Sequence, residues 1–368
     1  MNWFDVGQDS VRLLKDGKEA FPAMLDAIRH AKREVLMEMY WISADKCGKP
    51  FLEAMTERAK AGVRVRVVWD PIGSLSTSAG WWNPLTAAGG EVVEYHGLGG
   101  FAKDLELGRL ERRDHRKLIV VDGETGFVGG INLSCEWLPK DDGGGGWRDD
   151  AIQVRGPTGA DLRGLFYETW RRITRTRVRD VPAFPKARAR PVWVLANNWR
   201  RRRGIRREYV VRIRQAAKSV DIANSYFIPD LRVRSALAKA VTRGARVRIL
   251  VPEHGDVPLV QYAVEALFDR FLKQGIEVYT LGGPMLHSKT AVIDDFATVG
   301  SYNLDERSWR KNLEVNVAVE NAAFATHVRE SFEEDLAHAT RIDLATWQGR
   351  GTLRRGLEAM SFAMRKLW

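Results

Sequence analysis

The 368-residue sequence contains few cysteines and no long apolar run. Its two cysteines, Cys47 and Cys135, provide neither a disulfide framework nor the spacing of a metal site, and this predicts a reducing compartment. No stretch of about 18 apolar residues is present, so no transmembrane helix is expected. The first residues lack a basic segment followed by an apolar run, so no signal peptide is expected. A disulfide-rich secreted protein and a membrane-spanning protein are therefore both disfavoured.

Charge is the next informative property. The chain has 58 Lys and Arg residues against 47 Asp and Glu residues, which gives a formal net charge of +11. A basic chain favours an anionic partner, either a phospholipid surface or a nucleic acid. With 45% hydrophobic residues the chain can fill globular cores, and its length predicts one or two domains. Charge alone does not choose between the two kinds of partner.

One motif occurs twice. Each copy has a histidine, a lysine two residues later, an aspartate five residues after the lysine, and an asparagine nine or ten residues further on. The copies are His115, Lys117, Asp122 and Asn132, and His287, Lys289, Asp294 and Asn303. The chain has only seven histidines, so two chance copies are improbable. Apolar alternation over 115–121 and 287–293 predicts half-buried strands that point His and Lys to one face.

The repeat is longer than the motif. Strand-like segments before each motif correspond in order: 35–42 with 220–228, 63–69 with 245–251, and 90–95 with 275–279. Gly62 and Gly244 follow equivalent helices and are expected to end them. Alternating helices and β-branched strands predict α/β architecture. We expect two similar α/β halves, each a mixed sheet flanked by helices, related by a pseudo-twofold axis with one active site at their interface.

The predicted domains are an N-terminal half over 1–180 and a C-terminal half over 181–345, each with one motif, and a basic amphipathic helix over 346–368. Helical spacing in the last segment favours a face that lies on an anionic bilayer, with packing on the domain as the alternative. Its apolar residues are Leu353, Leu357, Met360, Met364, Leu367 and Trp368.

The paired motif suits metal-free attack on a phosphodiester. One imidazole can attack phosphorus, while the other protonates the leaving oxygen and later deprotonates the acceptor hydroxyl. Lysine and asparagine donors from both halves would hold the phosphate oxygens in place of a magnesium ion, so neither metal nor other cofactor is expected. These donors are Lys117, Lys289, Asn132 and Asn303.

Each histidine also needs an acceptor for its second nitrogen. Asp149 and Glu314 lie in matched places after the two motifs and are the candidate orienting acids. Asp122 and Asp294 belong to the catalytic motif, but each ends its strand where a turn begins. We therefore expect these two aspartates to be structural.

The repeated His-x-Lys-x4-Asp pattern resembles the phospholipase D superfamily over nearly the whole chain. The phrases 127–132, 147–149, 300–308 and 312–316 resemble bacterial cardiolipin synthases of the short type without N-terminal membrane helices. The resemblance implies transfer of a phosphatidyl group to phosphatidylglycerol, with His115 as nucleophile and His287 as acid/base. Ser301 stands where the first copy has Gly130, so a hydroxyl contact to phosphate is expected on one side only.

Other functions stay open. A phospholipase D hydrolase would use water as acceptor, a nuclease of the superfamily would use the same histidines on a polymer, and a binding module would have a dead site. The basic run 200–207 could meet lipid phosphate or a nucleic acid backbone, and Trp81 and Trp82 could be interfacial anchors or buried. The favoured partners are an anionic phospholipid membrane and phosphatidylglycerol, with nucleic acid disfavoured and the oligomeric state open. The expected location is peripheral, on the cytoplasmic face of the membrane.

Overall fold

Two eight-stranded sheets organise the chain. The computed structural model describes residues 2–96, 111–176, 178, 181, 184, 190–198 and 204–365. Within these residues, each sheet mixes parallel and antiparallel pairs and is flanked by helices.

The first sheet and its helices come from the N-terminal part of the chain. The strands are β1 (Phe4–Val6), β2 (Asp9–Lys15), β3 (Glu34–Met39), β4 (Arg64–Trp69), β5 (Glu91–Glu94), β6 (Lys117–Val121), β7 (Thr125–Gly129) and β8 (Asp150–Arg155). The helices are α1 (Asp16–Arg29), α2 (Gly48–Lys60), α3 (Asn83–Ala87) and α4 (Pro157–Thr174), with 3₁₀ turns at Ala79–Trp82, Cys135–Trp137 and Lys140–Asp142.

The second sheet begins after α4. Its strands are β9 (Val192–Asn197), β10 (Ser219–Asn224), β11 (Arg246–Pro252), β12 (Glu277–Leu281), β13 (Lys289–Ile293), β14 (Phe296–Gly300), β15 (Glu314–Glu320) and β16 (Ala339–Arg341). The helices are α5 (Gly204–Gln215), α6 (Leu231–Thr242), α7 (Pro258–Glu265), α8 (Phe268–Lys273), α9 (Glu306–Arg310), α10 (Ala322–Ala337), α11 (Leu344–Gln348) and α12 (Thr352–Ala363).

Seven strands follow the same order in both sheets when the second sheet is read from its other edge, and β1 and β16 are additional edge strands. The first runs β1-β2-β8-β7-β6-β3-β4-β5 and the second runs β16-β12-β11-β10-β13-β14-β15-β9. In each, the motif strand (β6 or β13) pairs antiparallel with the first repeat strand (β3 or β10), which pairs parallel with the next (β4 or β11). Gly62 and Gly244 follow the equivalent helices α2 and α6 with φ of +85° and +94°, a conformation that suits glycine. The predicted pair of similar α/β halves is confirmed.

The motif strands are buried on both faces, whereas the alternation predicted burial on one. All five residues of β6 and of β13 are buried. Ile119 packs with the helices of its own half, but Leu118 and Val120 belong to a core shared with the other half. Ala291 and Val292 divide in the same way. The helices of the same half thus cover the strand face that carries His and Lys, and the opposite half covers the other face.

The shared core joins the two halves. Val128 and Ile152 from the first sheet and Val299 and Val317 from the second belong to one apolar cluster, together with Trp170 from α4. Separating the halves would expose this cluster to water, which is unfavourable. The interface therefore fixes the two motif strands relative to each other.

The two cysteines form a disulfide, contrary to the prediction. Cys47 directly precedes α2 and Cys135 begins a 3₁₀ turn after β7, with their Cα atoms 5.3 Å apart. The Asp45 carboxylate accepts the backbone N–H of Cys47 at 2.8 Å and that of Cys135 at 3.1 Å, which brings the two segments together. Because the two cysteines are 88 residues apart, the sequence did not indicate that they pair. The cysteine argument for a reducing compartment is therefore lost.

The predicted domain boundaries stay predictions. The boundary at residue 180 falls where the structure describes only 178, 181 and 184. The C-terminal segment forms α12, which packs on α7. Leu367 and Trp368 of that segment lie outside the described residues. Residues 200–203 of the basic run also lie outside them. Trp82 is buried and Trp81 packs against the same core, which favours burial over an interfacial anchor. Among the described helices, none is long and apolar enough to cross a membrane.

Candidate active site

The two motif histidines lie where the halves meet. The backbone N–H of His115 donates to the Leu313 carbonyl at 3.0 Å, and that of His287 donates to the Arg148 carbonyl at 2.7 Å. Each bridge joins one motif to the residue just before an orienting acid of the other half. Both histidines line one pocket.

Each histidine is held by a carboxylate of the opposite half. Nδ1 of His115 lies 3.1 Å from both carboxylate oxygens of Glu314, and Nδ1 of His287 lies 2.7 Å from Oδ2 of Asp149. Both acids are fully buried. The sequence identified these acids but not which histidine each would hold. An Nδ1–H donated to a carboxylate leaves Nε2 with the lone pair that can attack phosphorus or move a proton.

Both motif lysines are buried beside the histidines. Nζ of Lys117 donates to the His115 carbonyl at 2.8 Å and lies 4.9 Å from the Tyr40 ring centre. Nζ of Lys289 donates to the Ser225 hydroxyl at 2.9 Å and to the His287 carbonyl. An ammonium group has three donors, so each lysine can still donate to a phosphate oxygen.

The two asparagines occupy matched positions but bond differently. Oδ1 of Asn132 accepts the Trp41 N–H at 3.1 Å, and its Nδ2 donates to the Gly130 carbonyl at 3.4 Å. Oδ1 of Asn303 accepts the Ser225 hydroxyl at 2.9 Å. Both asparagines line the pocket, and their amide NH₂ groups are the parts that can donate to an anion. Their role in binding substrate stays a prediction.

Ser301 supports an acid instead of facing the pocket. Its hydroxyl donates to Oε2 of Glu314 at 2.5 Å and accepts the Val315 N–H at 3.1 Å. The predicted hydroxyl contact to phosphate is therefore wrong, because these two bonds engage the hydroxyl with its own half. At the matched Gly130, a Cβ would lie 2.2 Å from the Asp149 carboxylate, so a side chain does not fit there.

The motif aspartates are remote from the pocket. The Asp122 carboxylate accepts backbone N–H groups of residues 32–34 at 2.7 to 3.2 Å, and the Asp294 carboxylate accepts those of residues 217–219 at 2.8 to 2.9 Å. Each aspartate follows its histidine by seven residues along a strand, a separation of about 23 Å at ~3.3 Å per residue. The structure thus separates Asp122 and Asp294 from the catalytic group in which the motif places them.

The pocket has a volume of about 360 Å³ and walls from both halves. Its lining combines aromatic rings, cations and acids around the histidines. The lining residues include Tyr40, Trp41, Arg113 and Trp147 from the first half, and Tyr226, Asp256, Val257, Arg307 and Arg365 from the second.

Burial and neighbouring charge set the ionisation of the bases. Burial lowers the pKa of His115 and of His287 well below the usual range, and the two lysines lower both further. Burial also lowers the pKa of Lys117 to about 7 and that of Lys289 to about 8. These surroundings therefore favour neutral imidazoles and readily titrated lysines.

The orienting acids shift in the opposite direction. Burial raises the pKa of Asp149 to about 7, against the nearby charge of Lys289 and the Trp137 hydrogen bond. Burial likewise raises the pKa of Glu314 to about 7, against Lys117 and the Ser301 hydrogen bond. A phosphodiester anion in the pocket would stabilise protonated lysines and imidazolium, and would thus raise the pKa of these bases.

Aromatic rings flank both histidines, and sequence reasoning missed two of them. The Tyr40 ring centre lies 4.9 Å from that of His115, and Trp137 and Trp147 lie 5.4 and 5.5 Å from His287. Tyr40 follows β3 as Ser225 follows β10, and each contacts the motif lysine of its half, so the repeat could have identified Tyr40. Trp137 lies in a 3₁₀ turn outside any repeated pattern.

The comparisons with known proteins agree with this geometry. A family model described as "Cardiolipin synthase, PLD-like domain" matches residues 24–141 and 209–336. Cardiolipin synthase 2 of Bacillus anthracis is 32% identical over 363 residues, which cover 96% of this chain and 69% of that protein. The cardiolipin synthase of Geobacillus thermodenitrificans is 31% identical over 374 residues, which cover 97% and 73%. The chain belongs to this phospholipase D-like cardiolipin synthase family.

Solved structures show the same fold. A phosphatidylserine synthase of Haemophilus influenzae matches with a TM-score of 0.72 at 14% identity, over 97% of this chain and 95% of that one. A polyphosphate kinase of Porphyromonas gingivalis matches with a TM-score of 0.55 at 13% identity, over 89% and 50%. At these identities the likeness concerns the fold alone. The predicted resemblance and fold class are both confirmed.

The family model covers most of the site in this phospholipase D-like chain. The segment 24–141 contains His115, and the segment 209–336 contains His287 and Glu314. Asp149 lies between the two matched segments. Its assignment as an orienting acid therefore rests on its 2.7 Å contact with His287.

Proposed function

We propose that this protein is a cardiolipin synthase. It transfers a phosphatidyl group from a phospholipid such as phosphatidylglycerol to a second phosphatidylglycerol, through a phosphohistidine on His115. The observation that best supports this proposal is the pair of histidines at one pocket, each held at Nδ1 by a buried carboxylate of the other half. The names of the relatives support phosphatidylglycerol as the substrate.

In the first step, Nε2 of His115 attacks the phosphorus of the donor lipid. The N–P bond forms as the bond from phosphorus to the headgroup oxygen breaks. His287 gives the proton from its Nε2 to that oxygen, and the headgroup alcohol leaves. His287 is then neutral, and the phosphatidyl group is bound to His115.

In the second step, the free hydroxyl of phosphatidylglycerol occupies the position of the departed alcohol. Nε2 of His287 takes the hydroxyl proton while the oxygen attacks phosphorus. The N–P bond breaks and its electrons return to Nε2 of His115. Cardiolipin is released with the site in its starting protonation state, so no cofactor is consumed.

The two histidines differ in a way that supports this assignment. The contact of His287 with Asp149 is 2.7 Å, shorter than the 3.1 Å contacts of His115 with Glu314. Shorter charge-assisted hydrogen bonds stabilise imidazolium more strongly, and the acid/base must carry that charge. The charge of Asp256, which lines the same pocket, partly opposes the lowering of the His287 pKa that burial and the two lysines cause.

Lys117 and Lys289 neutralise charge on the non-bridging phosphate oxygens. The burial of both lysines beside the histidines strengthens this interaction, because a low dielectric screens charge less than water does. Asn132 and Asn303 add neutral donors from opposite halves. Together these four groups provide the charge stabilisation that a metal supplies in other phosphoryl-transfer enzymes.

The substrate places the enzyme at an anionic membrane surface. The net charge of +11 supports electrostatic attraction to such a surface. We propose peripheral association, in which the pocket takes lipid headgroups from one leaflet. Location on the cytoplasmic face stays a prediction.

The test uses purified protein with vesicles of headgroup-labelled phosphatidylglycerol in the absence of divalent metal. Glycerol, cardiolipin and phosphatidic acid are followed by mass spectrometry for wild type, His115→Ala and His287→Ala. His30→Ala is the matched control, since His30 is exposed and outside the pocket. Cardiolipin formed in step with glycerol, and lost only in the two pocket variants, would support the proposal.

Phosphatidic acid in place of cardiolipin would make the protein a hydrolase. An intact lipid pool with folded protein would reject lipid transfer from phosphatidylglycerol. Loss of cardiolipin in His30→Ala would show that the histidine substitutions act through something other than the pocket.

A further inference from the structure

The last helix packs on the domain through polar and apolar side chains together. In α12, Glu358 and Ser361 are buried. Glu358 accepts Nε of Arg350 at 3.0 Å and Nη2 of the same residue at 2.7 Å, and it lies 3.6 Å from Arg354. Phe362 of the same helix packs partly buried against the core of the second half. Ion pairs and this apolar contact together hold the helix in place.

A neighbouring side of the same segment is apolar and largely exposed. Leu353, Leu357, Met360 and Met364 recur at helical spacing and form one stripe, which we term the apolar stripe. Leu353 is 79% exposed, Met360 50% and Met364 37%, while Leu357 is half-buried. A continuous row of exposed apolar side chains is uncommon unless something covers it.

The apolar stripe leads to the mouth of the active-site pocket. Arg354 pairs with Glu265 at 2.8 Å, near the end of α7, whereas Arg365 lines the pocket with Val257, at the start of α7. The two helices therefore run antiparallel, and the Met364 end of the stripe lies nearest the pocket.

The pocket rim continues this apolar character. Val257, the residue before α7, is 40% exposed, and Leu259 in the first turn of α7 is 41% exposed. Asp256 is the acid at this rim, and the hydroxyl of Tyr226 donates to it at 2.6 Å. An apolar band thus extends from α12 to the entrance of the site.

The exposed charges of the same segment are positive. Within residues 352–365, all of which the structure describes, Glu358 is the only acid, and it is buried. Arg354 is 51% exposed and Arg355 is exposed as well. A segment that combines arginines with exposed apolar side chains is the pattern of a helix that binds an anionic bilayer.

We propose that the apolar stripe, with Val257 and Leu259, is a docking surface for an anionic phospholipid bilayer that aligns the pocket mouth with the lipid headgroups. This rests on the proposed function, because the substrate then enters from the bilayer. The occupant is a membrane and not a second copy of the chain, since a copy seated here would lie across the entrance that the substrate needs.

The test compares Met360→Ser/Met364→Ser with Val211→Ser. Val211 is 37% exposed, like Met364, but it lies on α5 beside Arg212, which contacts Phe296 at the end of β14 remote from the pocket. Each protein is sedimented with vesicles of phosphatidylglycerol and phosphatidylcholine, and with phosphatidylcholine alone. Turnover of short-chain phosphatidylglycerol below its micelle concentration is measured in parallel.

We expect wild type and Val211→Ser to bind the anionic vesicles equally, and the double variant to bind about tenfold less tightly. Turnover of the dispersed short-chain lipid should be equal in all three, because that substrate needs no docking. If wild type does not turn over phosphatidylglycerol, but vesicle binding still falls in the double variant, the proposed function is rejected and the docking surface is retained.

Equal vesicle binding by the double variant and wild type would overturn the docking surface, as would wild type that binds no vesicles. Sedimentation velocity adds a further arm. A wild-type dimer that the double substitution dissociates, without change in vesicle binding, would assign the stripe to contacts between copies and overturn the proposal.

Discussion

The His115 side and the His287 side of the pocket share a backbone plan but differ in what supports each histidine. On the first side, Glu314 receives the Ser301 hydroxyl at 2.5 Å. On the second, Asp149 receives the Trp137 indole N–H at 2.8 Å, and a glycine stands where the serine would be. Similar folding thus places the two imidazoles equivalently, while different neighbours support the carboxylates that hold them.

The lysines show the same contrast. Lys117 lies over the Tyr40 ring, whereas Lys289 is hydrogen-bonded to the Ser225 hydroxyl at the equivalent position of the repeat. A ring face attracts a cation without accepting a conventional hydrogen bond, so Lys117 keeps more of its donors for phosphate. Position in the sheet and detailed chemistry are therefore set by separate parts of the sequence.

The largest expected difference between the two sides appears with a donor whose leaving group needs no proton. With phosphatidyl-p-nitrophenol, His287→Ala should release p-nitrophenol in a burst of about one equivalent, while its turnover of phosphatidylglycerol falls by about 10²–10⁴-fold. His115→Ala should lose activity by on the order of 10³-fold or more with both donors. Absorbance of p-nitrophenol checks this, and a burst from His115→Ala alone would reverse the roles.

The orienting acids come next. Asp149→Asn and Glu314→Gln keep the size of the side chain but remove its charge, so we expect kcat to fall by roughly 10²–10⁴-fold in each. The p-nitrophenyl donor should partly rescue Asp149→Asn, whose partner His287 is the proposed acid/base, but not Glu314→Gln. Steady-state kinetics with both donors measure this. Equal rescue of the two variants would contradict the assignment of different roles to the two histidines. Circular dichroism checks that both variants are folded.

A smaller effect is expected for the groups that support the acids. Trp137→Phe and Ser301→Ala each remove one hydrogen bond to a carboxylate, worth roughly 1.5 kcal/mol, and should lower activity about tenfold near neutral pH. Those bonds lower the pKa of Asp149 and of Glu314, so their loss raises it. Because the acids act ionised, the acidic limb of the pH–rate profile should move to higher pH. An unmoved limb would assign the tryptophan and serine to packing alone.

The smallest effect on activity is expected for Asp122→Asn and Asp294→Asn. Each removes a charge that accepts backbone N–H groups, so the free energy of unfolding should fall by about 1–2 kcal/mol while activity changes little. Burial raises the pKa of both carboxyls, but the backbone donors outweigh it and the net pKa is lowered. The stabilisation is therefore present above the unfolded-state pKa and is lost as pH falls through the folded one. Urea unfolding across pH checks this, and a large loss of activity would return these aspartates to the catalytic group.

Much of this arrangement could be predicted from sequence because it depends on spacing. A strand places His115 and Lys117 on one face, and the second copy repeats that geometry. The matched places of Asp149 and Glu314 likewise identified them as orienting acids. These features are local, or are repeated locally, so the order of residues carries them.

What the sequence could not provide depends on contacts between distant segments. Glu314 lies 199 residues from His115, and no spacing indicates that each acid crosses to the other half. The same holds for the Cys47–Cys135 pair and for Trp137. Ser301 was assigned to phosphate because its position resembles a binding site, but its hydroxyl turned toward Glu314, the nearest strong acceptor.

The crossed histidine–acid pairs have a consequence for how this protein could be divided or inherited. Each half alone has a histidine without its acid and an acid without its histidine. A separated half would therefore be inactive, while a mixture of both halves could restore activity. A substitution in one half alters the basicity of a histidine encoded in the other. Although the two halves look like independent copies, the residues that form their histidine–acid pairs must therefore be inherited together.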